Sequence, residues 1–162
     1  MQEVSNTRRD KPDSHLQTEG ELLRTLILPA RVESIAVLTS AIDELLEQIG
    51  CPLRHQMQID VAADEVFCNI SSYAYPDSQG EAEVRIELLR EPLALRLTFI
   101  DTGIPYDPLT APEPDVTLSA EDRTAGGLGV FLVRKTMDSV DYERAGDSNI
   151  LRITKFIGTA LK

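Results

Sequence analysis

The sequence predicts an α+β fold: a two-layer α/β sandwich with helices on one face of a mixed, mainly antiparallel sheet. Three observations predict it. Apolar residues recur at helical spacing in three segments. Pairs of short alternating runs are joined by turn-forming residues. The order is strand, helix, helix, strand, strand, long loop, helix, strand, strand, which places helices between antiparallel hairpins.

Each element has its own signal. TLILPA (25–30) reads as a first strand. From Val32 to Ile49, apolar residues fall at Ile35, Leu38, Ile42, Leu45, Leu46 and Ile49, and Gly50 with Pro52 stops the helix. A second helix is expected from Leu53 to Tyr73, with Ile59, Ala62, Val66, Ile70 and Tyr73 along one stripe. Cys68 reads as a small core residue of that pattern. Tyr75-Pro76 and Asp77-Ser78-Gln79-Gly80 end it. EVRIELLR (83–90) and LALRLTFID (93–101) alternate as strands about a Glu91-Pro92 turn. Asp101 is in phase with Leu95, Leu97 and Phe99, so its carboxylate points to the apolar side and needs partners or a ligand. Residues 104–125 carry four prolines among acidic residues and read as a long lid loop. Gly126-Gly127-Leu128-Gly129 then opens a third helix, VFLVRKTMD. The hairpin VDYER, AGDSN, ILRITKFI closes the chain.

The totals bound the possibilities. A chain of 162 residues supports one domain with a real core, taken as 22–162, behind a flexible N-terminal arm, 1–21. No apolar run reaches the roughly 20 residues of a membrane span, and the N-terminus lacks the apolar core of a secretory signal. Two cysteines and two histidines make neither a disulfide framework nor a metal cluster, which suits a reducing cytoplasm. A net charge of −11 repels nucleic-acid phosphates and favours a basic protein partner. Nucleotide phosphates are repelled as well, so a bound nucleotide would need a divalent cation and local donors.

Three constellations could carry chemistry. Glu65 and Asn69 lie one helical turn apart on one face; a carboxylate suits a general base and an amide oxygen suits Mg²⁺, although such pairs are also ordinary on helix boundaries. Asp101 and Gly103 follow a strand; the carboxylate could accept an adenine amino group, or the pair could simply end the strand in a turn. The glycines at 126, 127 and 129 at a helix start leave backbone N–H groups free for an anion, or form a flexible connection. Arg123 could reach a terminal phosphate or remain a solvated loop arginine.

Asp101-Thr102-Gly103 also spells the aspartic-protease tripeptide. That reading requires an almost wholly β chain in two halves or a small dimerising β subunit. Here there are three helical patterns, no second Asp-Thr/Ser-Gly, and Ile104-Pro105 after the glycine. The P-loop, the eukaryotic-type kinase motifs and the Rossmann fingerprint are absent too.

The order E-x-x-x-N on a helix, D-x-G after a strand, and a Gly-rich helix start after a long loop resembles the N box, first G box and second G box of the GHKL (Bergerat-fold) ATPases. DEVFCNISSYAYP, DTGIPYDP and GGLGVFLVRKTMDSVDYER followed by NILRITK are most similar to the bacterial anti-sigma-factor serine/threonine kinases of that superfamily. The likeness spans roughly residues 22–158. It departs at Pro105, where many relatives have a second glycine, and near Tyr73, where the branch often has a histidine after the N-box Asn.

The resemblance implies ATP and Mg²⁺ as cofactors. Asp101 would take the adenine amino group and Gly103 would make room for the ring. Asn69 would hold Mg²⁺, and Gly126, Gly127, Leu128 and Gly129, with Arg123, would surround the phosphates. Glu65 would orient or deprotonate a partner's serine or threonine hydroxyl. The implied partners are an anti-anti-sigma (STAS-type) protein as substrate and a sigma factor held inactive, with a homodimer common in the branch. A nucleotide-dependent binding module without kinase activity is the alternative.

Overall fold

The computed structural model describes residues 20–110 and 127–158. The arm predicted over residues 1–21 therefore lies outside the described residues except for its last two positions, and the lid does so from residue 111 onward. The elements are β1 (Glu21–Pro29), α1 (Ser34–Gln48), α2 (Leu53–Asn69), β2 (Glu81–Leu89), β3 (Leu93–Asp101), α3 (Gly127–Thr136), β4 (Ser139–Ala145) and β5 (Ser148–Gly158). The five strands form one sheet in the order β1-β2-β3-β5-β4, and every pairing is antiparallel.

Register decides which side chains meet the helices. Leu97 of β3 lies opposite Ile86 of β2 and Ile153 of β5, and Phe99 lies opposite Val84 and Leu151. These residues are buried and share a face with Asp101, as the alternation predicts. α1 covers them with Leu38, Ile42 and Leu46, α2 with Ile59, Phe67 and Ile70, and α3 with Val133 and Met137. Such burial stabilises by about 25 cal/mol per Å² of apolar surface. The opposite face is polar. Glu87 of β2 pairs directly across from Arg96 of β3 at 2.6 Å, and Arg152 of β5 reaches Asp141 of β4 at 3.2 Å.

Helix ends follow from local chemistry. Gly50 adopts φ 69°, its N–H donates to the Glu47 carbonyl, and the Cys51 N–H donates to the Leu46 carbonyl. That is a Schellman stop, where a left-handed residue satisfies the last carbonyls of α1. At the far end of α3, Lys155 Nζ donates to the Thr136 carbonyl at 2.7 Å, placing a cation at the negative end of the helix.

α2 is shorter than its apolar pattern suggests. It continues through Ile70–Ala74 as a single π-helical turn. The wider winding rotates Tyr73 off the buried stripe into solvent, where its ring meets that of Tyr106 at 6.1 Å between centroids. Cys68, read from sequence as core, is exposed, because it falls on the side of α2 opposite Ile59 and Ile70.

α1 and α2 meet along a polar seam. Thr39 donates to Asp64 at 3.0 Å and Gln56 to Asp43 at 3.0 Å. Asp60 Oδ1 is buried and faces no donor. Burial, then a hydrogen bond shared with the Asp43 carboxyl, then the charges of Asp43 and Asp64, push its pKa up from 3.8 to about 8. The folded protein thus holds a proton that the unfolded chain loses near pH 4. Stability falls as pH rises through this window, and the contribution is gone above the folded value. Asp60→Asn is expected to melt a few degrees higher than wild type at about pH 9 and nearly with it at about pH 5. Equal melting shifts at both pH values in thermal scans would show that no proton is held there.

Candidate nucleotide site

Asp101 ends β3 with its side chain buried on the helix side of the sheet. Its partner in register is Asn149 of β5, and the Asn149 Nδ2 donates to Asp101 Oδ1 at 2.9 Å. The Gly103 N–H donates to the same oxygen at 3.0 Å. Asn149 is fully used. Its amide nitrogen also donates to the Ile104 carbonyl at 2.9 Å, and its oxygen accepts from the Tyr142 hydroxyl at 2.6 Å and the Tyr106 N–H at 3.3 Å. One buried amide thereby fixes the carboxylate and the first turn of the loop that follows it.

The same loop is held from other sides. The Ile104 N–H donates to the Ala74 carbonyl at 2.9 Å, at the end of the π-helical turn. Arg144 of β4 donates to the Gly103 carbonyl at 3.0 Å. The Thr102 N–H donates to the Tyr75 hydroxyl at 3.0 Å, and that hydroxyl donates to the Glu81 carbonyl. A Cβ on Gly103 would strike the Ala74 carbonyl oxygen and lie 2.6 Å from the Ala74 Cβ. The close approach this glycine permits in the structure is therefore to the end of α2.

Between sheet, α2 and α3 lies a hollow with an apolar wall of Val66, Ile70, Phe99, Val130, Val133 and Leu151. Asp101, Asn149, Tyr142 and Asn69 are its polar groups, and Tyr106, Pro108 and Leu109 stand at the loop side. An apolar cleft with a few convergent polar groups suits a flat heteroaromatic ring. Burial, then the nearby Tyr73 and Asp107, raise the Tyr106 pKa, so its phenol stays neutral.

The sequence-predicted residues fall as follows. Asn69 is the last residue of α2 and lines the hollow with Asp101. Glu65 lies one turn earlier and faces α3: a Cβ on Gly129 would fall onto its carboxylate. Gly127 and Leu128 are the first two residues of α3, and Leu128 is exposed. Arg123 and Gly126 lie outside the described residues. Sequence reasoning passed over Asn149, Tyr142, Arg144 and Tyr75. Asn149 sits in a segment that reads as turn residues, and only the β3–β5 register puts it beside Asp101.

The Glu65 carboxylate stands against Gly129 at the start of α3, and the hollow lined by Asn69 holds a buried carboxylate, Asp101. A nucleotide fits that donor set. Among the described residues no cluster of three or more His, Cys, Asp or Glu could hold a metal ion by itself. A Mg²⁺ held by one amide together with a nucleotide's phosphates suits Asn69.

Gly103→Ala is expected to lower stability by about 1–3 kcal/mol, because the added methyl must push the loop away from Ala74. An unchanged urea midpoint would contradict this packing.

The comparisons with known proteins agree with the geometry. The Histidine kinase-like ATPase domain model matches residues 28–155. Serine/threonine-protein kinase BtrW of Bordetella bronchiseptica is 30% identical over 129 residues, covering 76% of this chain and 90% of that protein. Serine-protein kinase RsbW of Listeria monocytogenes is 28% identical over 139 residues, covering 82% and 86%. Among solved structures, the RsbU and RsbW domains of Rv1364c from Mycobacterium tuberculosis superpose with a TM-score of 0.59 at 15% identity, a likeness of fold. That match covers 86% of this chain and only 35% of the solved one. With the family model spanning most of its length, this chain belongs to the histidine kinase-like ATPase domain family.

Proposed function

We propose that the chain is an ATP-dependent protein serine/threonine kinase of the anti-sigma type. It would phosphorylate an anti-anti-sigma (STAS-type) partner and sequester a sigma factor, within the cytoplasm. The carrying observation is the shared hollow: Asp101 and Asn69 line it together, while Glu65 stands at the glycine start of α3. The relatives named as serine kinases support the reading.

Each residue has a role that its setting suits. Asp101 has one oxygen engaged by Asn149 and Gly103, so its orientation is fixed before a ligand arrives; it would accept an exocyclic amino group. The apolar walls would sandwich the ring and exclude water. Asn69 would hold the metal. Gly127 and Gly129, with the N–H groups around Leu128, would receive phosphate oxygens at the positive end of α3. Arg123 and Gly126 would belong to the same phosphate end. Bound Mg-ATP supplies the phosphoryl group and the leaving ADP. Glu65 would orient the partner's hydroxyl and take its proton as the oxygen attacks. Positioning and charge stabilisation are what this reaction asks of a protein.

Calorimetric titration with Mg-ATP is expected to show at least about tenfold weaker binding for Asp101→Asn, the loss of a charged hydrogen-bond acceptor. Its melting curve would check that the Gly103 contact survives. Transfer from radiolabelled ATP to the co-purified anti-anti-sigma partner is expected to drop by about 10²-fold or more in Glu65→Gln, with nucleotide affinity retained. Undiminished transfer would remove Glu65 from the chemistry. Undiminished nucleotide binding by both Asp101→Asn and Asn69→Ala would remove the site.

Gly129→Ala is expected to displace the Glu65 carboxylate. Transfer should fall while the melting temperature moves little, since α3 gains helix propensity at that position. Full activity in this variant would show that Glu65 does not work from where it stands.

A further inference from the structure

Asn149 faces Asp101 inside the hollow, and the way its amide is held limits what the carboxylate can accept. An Asn side chain has a donating end and an accepting end, and either could face a neighbour. Here the surroundings permit one choice. The Tyr106 N–H can only donate and lies 3.3 Å from Asn149 Oδ1, while the Ile104 carbonyl can only accept and lies 2.9 Å from Nδ2. A flipped amide would set donor against donor and acceptor against acceptor. The Tyr142 hydroxyl, 2.6 Å from Oδ1, holds the same end. The donating end is therefore locked onto Asp101 Oδ1 at 2.9 Å, where the Gly103 N–H also arrives at 3.0 Å.

The two oxygens of Asp101 thus differ. Oδ1 takes two N–H donors, which fills the lone-pair sites of one carboxylate oxygen. Among the described residues no donor reaches Oδ2. Nor is Oδ2 sealed in protein, because Asp60 Oδ1 is the one buried side-chain N or O atom among the described residues that lacks a partner. Asp101, Asn149 and Tyr142 all line the hollow. A base entering it meets a single free carboxylate oxygen between the apolar walls of Phe99, Val130 and Leu151.

That count matters because purines differ in the hydrogens they present. A 6-aminopurine offers one exocyclic amino group. A 2-amino-6-oxopurine offers a ring N–H beside an amino group, a pair that a carboxylate with both oxygens free grips bidentately. Against one free oxygen, the second donor and the 6-oxo group stay unpaired in an apolar cleft, which costs affinity.

We propose that Asn149, locked by Tyr142, selects the base at this site: by occupying Asp101 Oδ1 it admits a 6-aminopurine nucleotide and rejects a 2-amino-6-oxopurine one. Asn149 is a positioning residue, acting through Asp101. The inference rests on the reading of the hollow as a nucleotide site and names the side chain that enforces its base.

Calorimetric titrations of the full chain with Mg-ATP and with Mg-GTP read the ratio of the two affinities. Wild type is expected to favour ATP by about tenfold or more. Asn149→Ala removes one donor from Oδ1, and the ratio is expected to fall about tenfold. Tyr142→Phe leaves Asn149 its Tyr106 N–H, and a fall of about two- to threefold is expected there. A purely structural role would weaken both nucleotides alike and leave the ratio in place. An unchanged ratio in Asn149→Ala would overturn the proposal. Should that variant bind neither nucleotide or fail to fold, Tyr142→Phe decides, and a wild-type ratio there overturns it. Equal affinity of wild type for both nucleotides overturns it too, while leaving the nucleotide site standing. Binding of neither by wild type removes the site itself, and the selection with it.

Discussion

The candidate site depends on one contact across the sheet: the Asn149 amide against the Asp101 carboxylate. A buried carboxylate costs several kcal/mol unless donors surround it. Antiparallel register places Asn149 directly opposite, and the same amide reaches two further backbone groups of the outgoing loop. Strand pairing is thereby converted into loop position. Tyr142 and Arg144, two residues apart on β4, face the same side and complete the support from the sheet edge.

The helix layer contributes through an irregularity. Were α2 regular throughout, its last carbonyls would point elsewhere along the axis. The π-helical turn widens the winding and presents the Ala74 carbonyl to the Ile104 N–H. Only a residue without a side chain tolerates that approach at position 103. Sheet and helix thus grip the loop from opposite sides, and the hollow between them is a product of both grips. Such bulges in helices cluster at functional sites because they re-aim individual backbone groups.

Much of this was legible in the sequence, for physical reasons that differ by element. β3 is read to the residue because period-two alternation and flanking turn residues bracket it sharply. The phase of Asp101 follows from the same alternation, and its burial follows from the phase. At the end of α2 the stripe holds through Ile70, which is buried, and fails at Tyr73, which keeps helical spacing but is exposed; nothing in a side-chain pattern signals a change from i→i+4 to i→i+5 bonding. Asn149 was missed because its role depends on pairing between β3 and β5, elements nearly fifty residues apart, and a turn-rich setting explains an Asn equally well. The acidic seam escaped for the opposite reason. Asp43, Asp60 and Asp64 each look like ordinary surface acids, and only helix packing brings them together without a cation.

α3 is fastened unequally along its length. At its C-terminal end the Lys155 ammonium sits on the Thr136 carbonyl, the Asp138 N–H joins the Thr154 carbonyl, and Asp138 Oδ2 accepts from the Phe156 N–H. At its N-terminal end stand glycines and the Glu65 carboxylate. All three C-terminal bonds are made to β5, at Thr154, Lys155 and Phe156. The strand that carries Asn149 beside Asp101 thus also sets where α3 ends, so one strand fixes both the polar floor of the hollow and one of its walls.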